Sequence, residues 1–114
     1  MIDPDDSGRC GGRHRDPDAF AEAVLRVVDR VPPGRVTTYG AVADAVSDRF
    51  GGGPRQVGAV MARDGAAVAW WRVVRADGSL PDPLAAEARA HHRQEGTPLR
   101  SSGRVDLVAA FWEP

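Results

Sequence analysis

The chain has 114 residues, 42% of them hydrophobic, with 15 basic against 16 acidic side chains and a net charge of −1. That length suits one domain with a modest core and no staples, and a lone cysteine, Cys10, excludes an internal disulfide. Every basic residue is arginine, which excludes Schiff-base lysine chemistry and a Walker-type phosphate loop, and no apolar run approaches the ~20 residues of a membrane span.

Residues 1–17 are polar, rich in Asp, Arg and Gly, and lack the apolar core of a signal peptide. They read as the disordered tail of a cytoplasmic protein, with the folded domain over 18–114. Asp3, Asp5 and Asp6 lie in that tail, so the folded part is more positive than the whole, and for a nucleic-acid binder distribution matters more than the sum. Asp18 is placed to cap a first helix, with Phe20, Val24, Leu25, Val28 and Val31 at helical spacing and Pro32-Pro33-Gly34 as its end. Val36-Thr37 is an extended link. Thr38 can cap a second helix whose buried stripe is Ala41, Val42, Ala45 and Val46.

Gly51-Gly52-Gly53 predicts a turn and Pro54 the first position of a third helix, with Val57, Val60 and Met61 facing inward. Two short helices across a glycine turn form a helix-turn-helix pattern. Val73-Val74 predicts a short strand and Ala76-Asp77-Gly78 a turn. Pro81 and Pro83 break the chain before a helix from about Leu84 to Gln94, closed by Gly96. Leu99 to Phe111 is expected to hold two short strands joined at Ser102-Gly103.

Three segments carry a resemblance: Thr37-Thr38-Tyr39-Gly40, Pro54-Arg55-Gln56-Val57-Gly58, and Val68-Ala69-Trp70-Trp71-Arg72-Val73-Val74. Together they resemble the DNA-binding domain of O6-alkylguanine-DNA alkyltransferases, from about Phe20 to the C-terminus. Those enzymes carry Pro-Cys-His-Arg-Val at the third segment, and the cysteine accepts the alkyl group. Here Trp70 takes the cysteine position and Trp71 the histidine position. The chain is therefore similar to the alkyltransferase-like proteins, which bind the damaged base without repairing it.

The resemblance implies roles for particular residues. Trp70, which taken alone reads as a core tryptophan, would wall a pocket for an extruded base, since bases stack on aromatic faces. Trp71 removes the base that draws the thiol proton, because an indole N–H only donates; its spacing leaves open whether it packs in the core or joins the pocket. Arg55 would enter the duplex from the minor groove and fill the space of the flipped nucleotide, where a planar guanidinium can stack while charged. Tyr39 would crowd the target phosphate, with Thr38 and Gly40 offering hydroxyl and backbone contacts. Gly58 would keep the recognition helix thin, although a packing glycine explains it equally well. Arg72 reads as a structural residue pinning the strand.

Departures from the pattern limit the carry-over. Arg63-Asp64-Gly65-Ala66 replaces an Asn-Pro stretch, and Ser79-Leu80-Pro81-Asp82-Pro83 replaces a Tyr-Ser-Gly segment, so pocket size and base preference are not inherited. The ending Phe111-Trp112-Glu113-Pro114 is similar to that of some alkyltransferase-like proteins. Cys10 reads as an incidental thiol, and His14, His91 and His92 make a poor metal set because adjacent helix residues diverge.

The expected fold is α+β, mainly helical and winged-helix-like, with a helix-turn-helix. The expected function is non-enzymatic sensing of O6-alkylguanine in duplex DNA by base flipping, with hand-over to nucleotide excision repair proteins. No cofactor, metal or membrane is implied, and a monomer is expected. A helix-turn-helix regulator that flips nothing is the rival reading, and a transferase using Cys10 a distant third.

Overall fold

A computed structural model describes residues 17–80 and 84–114. Residues 1–16 of the expected tail, with Cys10 and His14, lie outside the described residues, as does the Pro81-Asp82-Pro83 break. The first helix, α1, spans Pro17–Asp29. It opens one residue before Asp18, which sits in the first turn rather than at the cap; a carboxylate there complements the positive end of the helix dipole. The apolar spacing buries Ala21, Val24, Val27 and Val28.

Strand β1 (Thr37–Thr38) runs directly into α2 (Tyr39–Phe50). Thr38 makes that junction: its extended backbone belongs to the strand, while its Oγ1 accepts the Ala41 N–H at 3.1 Å as the helix N-cap. Gly51 ends α2 at φ +67, a conformation that favours glycine. Helix α3 (Pro54–Asp64) begins with proline in its first turn, and Gln56 Oε1 accepts the Gly53 N–H at 2.8 Å. Helices α1, α2 and α3 pack on one another around Val24, Val28, Val42, Val46, Val57 and Val60. This is the helix-turn-helix unit.

Two single 3₁₀ turns, Gly65–Ala67 and Trp70–Arg72, carry the chain to β2 (Val73–Val74). Strand β2 pairs in parallel with β1, Thr37 opposite Val73 and Thr38 opposite Val74. Successive strand side chains face opposite ways. Val73 accordingly enters the three-helix core, and Val74 enters a second cluster with Val36, Leu80, Ala88, Val105 and Ala110. The two-stranded sheet thus separates two small cores.

Helix α4 (Leu84–Glu95) covers the second core with Ala88 and His92, and Gly96 follows at φ +75. The two strands expected over Leu99–Phe111 do not form. A single antiparallel bridge joins Leu99 to Val105, and a one-turn helix, α5 (Leu107–Ala110), follows. A short apolar run does not distinguish strand from helix by periodicity. Here Asp106 C=O accepts the N–H groups of Ala109 and Ala110, and Ala110 is drawn into the core while Val108 stays 97% exposed. Beyond α5 the chain returns to β1: Val36 N–H donates to Ala110 C=O at 3.0 Å and Trp112 N–H to Val36 C=O at 2.7 Å.

Gly78 and Gly96 separate two costs of a side chain. Both have positive φ, but a Cβ on Gly78 would lie 2.3 Å from Val105 O, whereas one on Gly96 meets nothing within 4 Å. Gly96→Ala should cost roughly 1–2 kcal/mol, the backbone term alone, and Gly78→Ala clearly more. Urea denaturation of the two variants measures the difference; equal losses would mean that the Gly78–Val105 approach is not rigid.

Candidate functional site

A cavity of about 980 Å³ opens between the helix-turn-helix unit and the second core. Helix α3 forms its floor with Pro54, Arg55, Gly58, Met61 and Ala62, and Tyr39 enters from the start of α2. Trp70, Gly65 and Ala66 also line it, and Arg75, Leu80, Leu84 and Glu87 complete the lining. Pro54 starts α3, which places Arg55 in the first turn of that helix. Its guanidinium makes no hydrogen bond or ion pair among the described residues, whereas Arg63, farther along α3, is paired with Asp64 at 2.9 Å. Burial raises the pKa of Tyr39 above its ordinary value of 10.0, with Arg75 opposing, so its phenol keeps its proton at neutral pH.

The two tryptophans diverge. Their rings meet edge to face, centroids 5.7 Å apart at 84°, which sends only Trp70 to the cavity wall. Trp71 is not among the lining residues. It stacks on His91 at 3.7 Å and 6°, and its indole N–H donates to Glu95 Oε2 at 3.0 Å. Trp70 also meets the His91 ring edge to face at 5.9 Å.

Glu95 gathers this region. Its carboxylate accepts from Trp71, from Arg72 Nε at 3.1 Å and Nη2 at 2.5 Å, and from the Gly34 N–H at 3.1 Å. Arg72 Nη1 reaches Val31 C=O at 3.1 Å, so this arginine pins the start of β2 to the end of α1. Burial pushes the Glu95 carboxyl up, but the hydrogen bonds from Arg72, Gly34 and Trp71 with the Arg72 charge outweigh it and hold the pKa below 4.5. His92 Nε2 lies 2.7 Å from Trp71 O. Burial lowers its pKa below 6.5 against that contact and the nearby Glu95 charge.

The structure brings Tyr39, Arg55, Gly58 and Trp70 to one cavity and leaves Thr38, Gly40 and Trp71 off its lining. Thr38 uses its hydroxyl at the α2 cap. A Cβ on Gly40 would sit 3.9 Å from Pro54 Cγ, where α2 and α3 approach. No described residue lies within 4 Å of a Cβ built on Gly58, so helix packing does not require glycine there. Sequence reasoning missed Arg75 and Glu95. Arg75 follows β2 at a spacing of two from Val73, which the strand alternation puts on one side; Glu95 joins groups 23, 24 and 61 positions away and has no local signal. Among the described residues no cluster of His, Cys, Asp or Glu could hold a metal, and no helix is long and apolar enough to cross a membrane.

A three-helix unit whose second helix-turn-helix element floors an aromatic-walled cavity defines a DNA-binding domain of helix-turn-helix type. The family described as 6-O-methylguanine DNA methyltransferase, DNA binding domain, matches residues 19–97, and the chain belongs to that family, as an alkyltransferase-like member. It is 37% identical over 102 residues to a DNA base-flipping protein of Escherichia coli, covering 83% of this chain and 75% of that one. A DNA base-flipping protein of Vibrio parahaemolyticus is 27% identical over 105 residues, covering 85% and 99%. The fold is similar to a solved structure of S. pombe Atl1 in complex with damaged DNA containing O6-carboxymethylguanine, with TM-score 0.70, 30% identity, and coverage of 85% of this chain and 97% of that one.

The Glu95 cluster sets an acid limit on stability. Its folded pKa lies below the unfolded one, so its contribution is present above about pH 4.5 and is lost as pH falls through the folded value. Glu95→Gln should lower stability at pH 7 by roughly 2–3 kcal/mol, below the full cost of breaking a buried pair because both partners keep some exposure. The gap between wild type and variant in urea denaturation should narrow below pH 4.5; a gap independent of pH would show that the carboxylate charge contributes nothing.

Proposed function

We propose that this protein binds duplex DNA with α3 against the minor groove, turns an O6-alkylguanine into the cavity beside Trp70 and holds it unchanged. The observation that carries this reading is the meeting of Tyr39, Arg55 and Trp70 around one cavity, with Arg55 unpartnered among the described residues. Membership of the family and the base-flipping and lesion-bound relatives support it.

Each group has a physical task in this reading. Unpairing and unstacking a base costs a few kcal/mol, which an inserted Arg55 offsets by stacking in the vacated space. Tyr39, still protonated, crowds the phosphate of the rotated nucleotide. Trp70 supplies the stacking face, worth about 1–3 kcal/mol per base. The small Gly58 lets the backbone of α3 approach the strand, Thr38 and Gly40 hold the start of α2 near it, and Trp71 acts from behind by fixing Trp70. The reading is non-enzymatic: position 70 holds an indole instead of a thiol, and the Trp71 N–H is only a donor, already engaged by Glu95. A protein that holds a lesion without removing it serves by marking it, so nucleotide excision repair proteins are the proposed recipients, with a monomer acting in the cytoplasm.

Binding should favour a duplex with one O6-methylguanine over the plain duplex, and plain-duplex binding should weaken as salt rises. Arg55→Ala should lower lesion affinity by about 1–3 kcal/mol and dim a fluorescent base analogue reporting extrusion at the target position. Equal affinity for the two duplexes would reduce the protein to an ordinary helix-turn-helix binder; lost affinity with extrusion intact would make Arg55 a phosphate contact.

Prolonged incubation with an alkylated oligonucleotide should leave the protein mass unchanged. Trp70→Cys should give at most a trace of transfer, because a thiol of pKa ~8.5 is only a few per cent ionised at neutral pH and Trp71 cannot take its proton. Mass spectrometry follows both. Stoichiometric alkylation of the wild type at any residue ends the non-enzymatic reading.

A further inference from the structure

We propose a second binding site, for a phosphate-class oxyanion, in the cleft between α4 and the turns at Gly78–Leu80 and Ser102–Arg104. The cleft has a volume of about 210 Å³, and Ser79, Arg89, His92, Gly103 and Arg104 contribute to its lining. No residue of α2 or α3 lines it; Leu80 is the one residue it shares with the larger cavity. The site is independent of the lesion reading.

Arg89 is the reason to expect a ligand. Its Nε is buried with no hydrogen-bond partner, and its guanidinium makes no hydrogen bond or ion pair among the described residues. A charged donor withdrawn from water without an acceptor is unfavourable, so this side chain lacks an acceptor that the described chain does not provide. The surroundings are shaped to leave it in that state. Gly103 lies over the guanidinium at φ +93, a conformation that favours glycine, and a Cβ there would come 2.9 Å from Arg89 Nε and 3.1 Å from Nη2, so a larger residue would push the Arg89 side chain aside. That turn is tied down by Gly103 N–H to Arg100 C=O at 2.9 Å and Arg100 N–H to Arg104 C=O at 2.7 Å. Val105 N–H to Gly78 C=O, at 3.0 Å, joins it to the opposite turn.

The charges favour an anion. Arg89 and Arg104 bring two guanidinium groups from different walls, and His92, kept neutral by burial at ordinary pH, adds no third charge. Asp77 is ion-paired with Arg104 at 3.6 Å and offsets part of that charge, while one of its oxygens accepts the Ser79 N–H at 3.0 Å and the Ser79 Oγ–H at 2.6 Å. Two guanidinium forks and the Ser102 hydroxyl, which accepts the Arg104 N–H and keeps its own proton to donate, suit the tetrahedral oxygens of a phosphate, whereas a planar carboxylate is served by one fork. The occupant is either free inorganic phosphate or a phosphodiester of bound DNA.

The test is a titration of the full chain with inorganic phosphate at constant ionic strength, followed by amide and arginine Nε–H resonances. Saturable shifts confined to Gly78, Ser79, Gly103 and Arg89 are expected. Arg89→Met and Arg104→Met should each weaken binding at least tenfold, while Arg26→Met, which removes an exposed arginine on α1, should not. Should Arg89→Met fail to fold by circular dichroism, Arg104→Met decides alone. Shifts that never saturate, that chloride reproduces, or that survive both variants would overturn the site. Adding plain duplex identifies the source: displacement of the phosphate assigns the site to the DNA backbone, and retention assigns it to the free ion.

Discussion

The Glu95 carboxylate gathers three distant parts of the chain at one anion. It sits at the last position of α4 and holds the loop after α1 through Gly34 and the turn before β2 through Trp71 and Arg72. Arg72 carries the link on to Val31. With four donors aimed at two oxygens, the carboxylate is satisfied as a partly buried anion must be. Both cores meet at this point, since the turn it grips leads into β2, whose two valines face one core each. The orientation of the helix-turn-helix unit relative to α4, and so the width of the cavity between them, depends on this junction.

The same junction explains why two adjacent tryptophans do different work. The turn over Trp70–Arg72 is 3₁₀, which rotates successive side chains by about a third of a turn. With Trp71 fixed by Glu95 and by stacking on His91, Trp70 is left pointing along the cavity wall. An indole in the second position keeps a donor for Glu95, holds the turn, and supplies no base. Rigidity at Trp70 matters for a stacking surface, because a base gains most from a face that need not be ordered on binding.

Much of this was legible from residue patterns, for reasons that can be located. Thr38 as a cap, Pro54 at a helix start, the glycine turn between α2 and α3 and the Val73-Val74 strand are local: each depends on a backbone preference within a few residues. Those same local segments, at Tyr39, Arg55 and Trp70, carried the family resemblance. The segment from Leu99 to Phe111 is not legible in this way, because a short apolar run fits a strand and a helix alike, and burial of Ala110 beside Val36 decides between them. The assignment of Trp71 stayed open because its deciding partner, Glu95, is 24 positions away. His91 and His92 diverge as a helix requires, yet both end on Trp71, one by its ring and one at its carbonyl. Only the tertiary fold makes that visible.

A net charge of −1 is unusual for a DNA binder, and it bears on where the proposed mode would draw its affinity. Of the arginines on α3, Arg63 is held by Asp64, leaving Arg55; Arg75 and Glu87 line the same cavity. A cavity lining that presents two arginines and one glutamate gains little from releasing counterions along a duplex. Its binding energy has to come from what enters the cavity: an arginine stacked in the duplex and a base stacked on Trp70. In the proposed mode the protein would stay weakly attached to intact DNA and hold where a base can be turned out cheaply, because the unstacking cost is smallest where pairing is already damaged. Low charge is therefore consistent with lesion sensing, since discrimination improves as the sequence-independent part of the affinity shrinks.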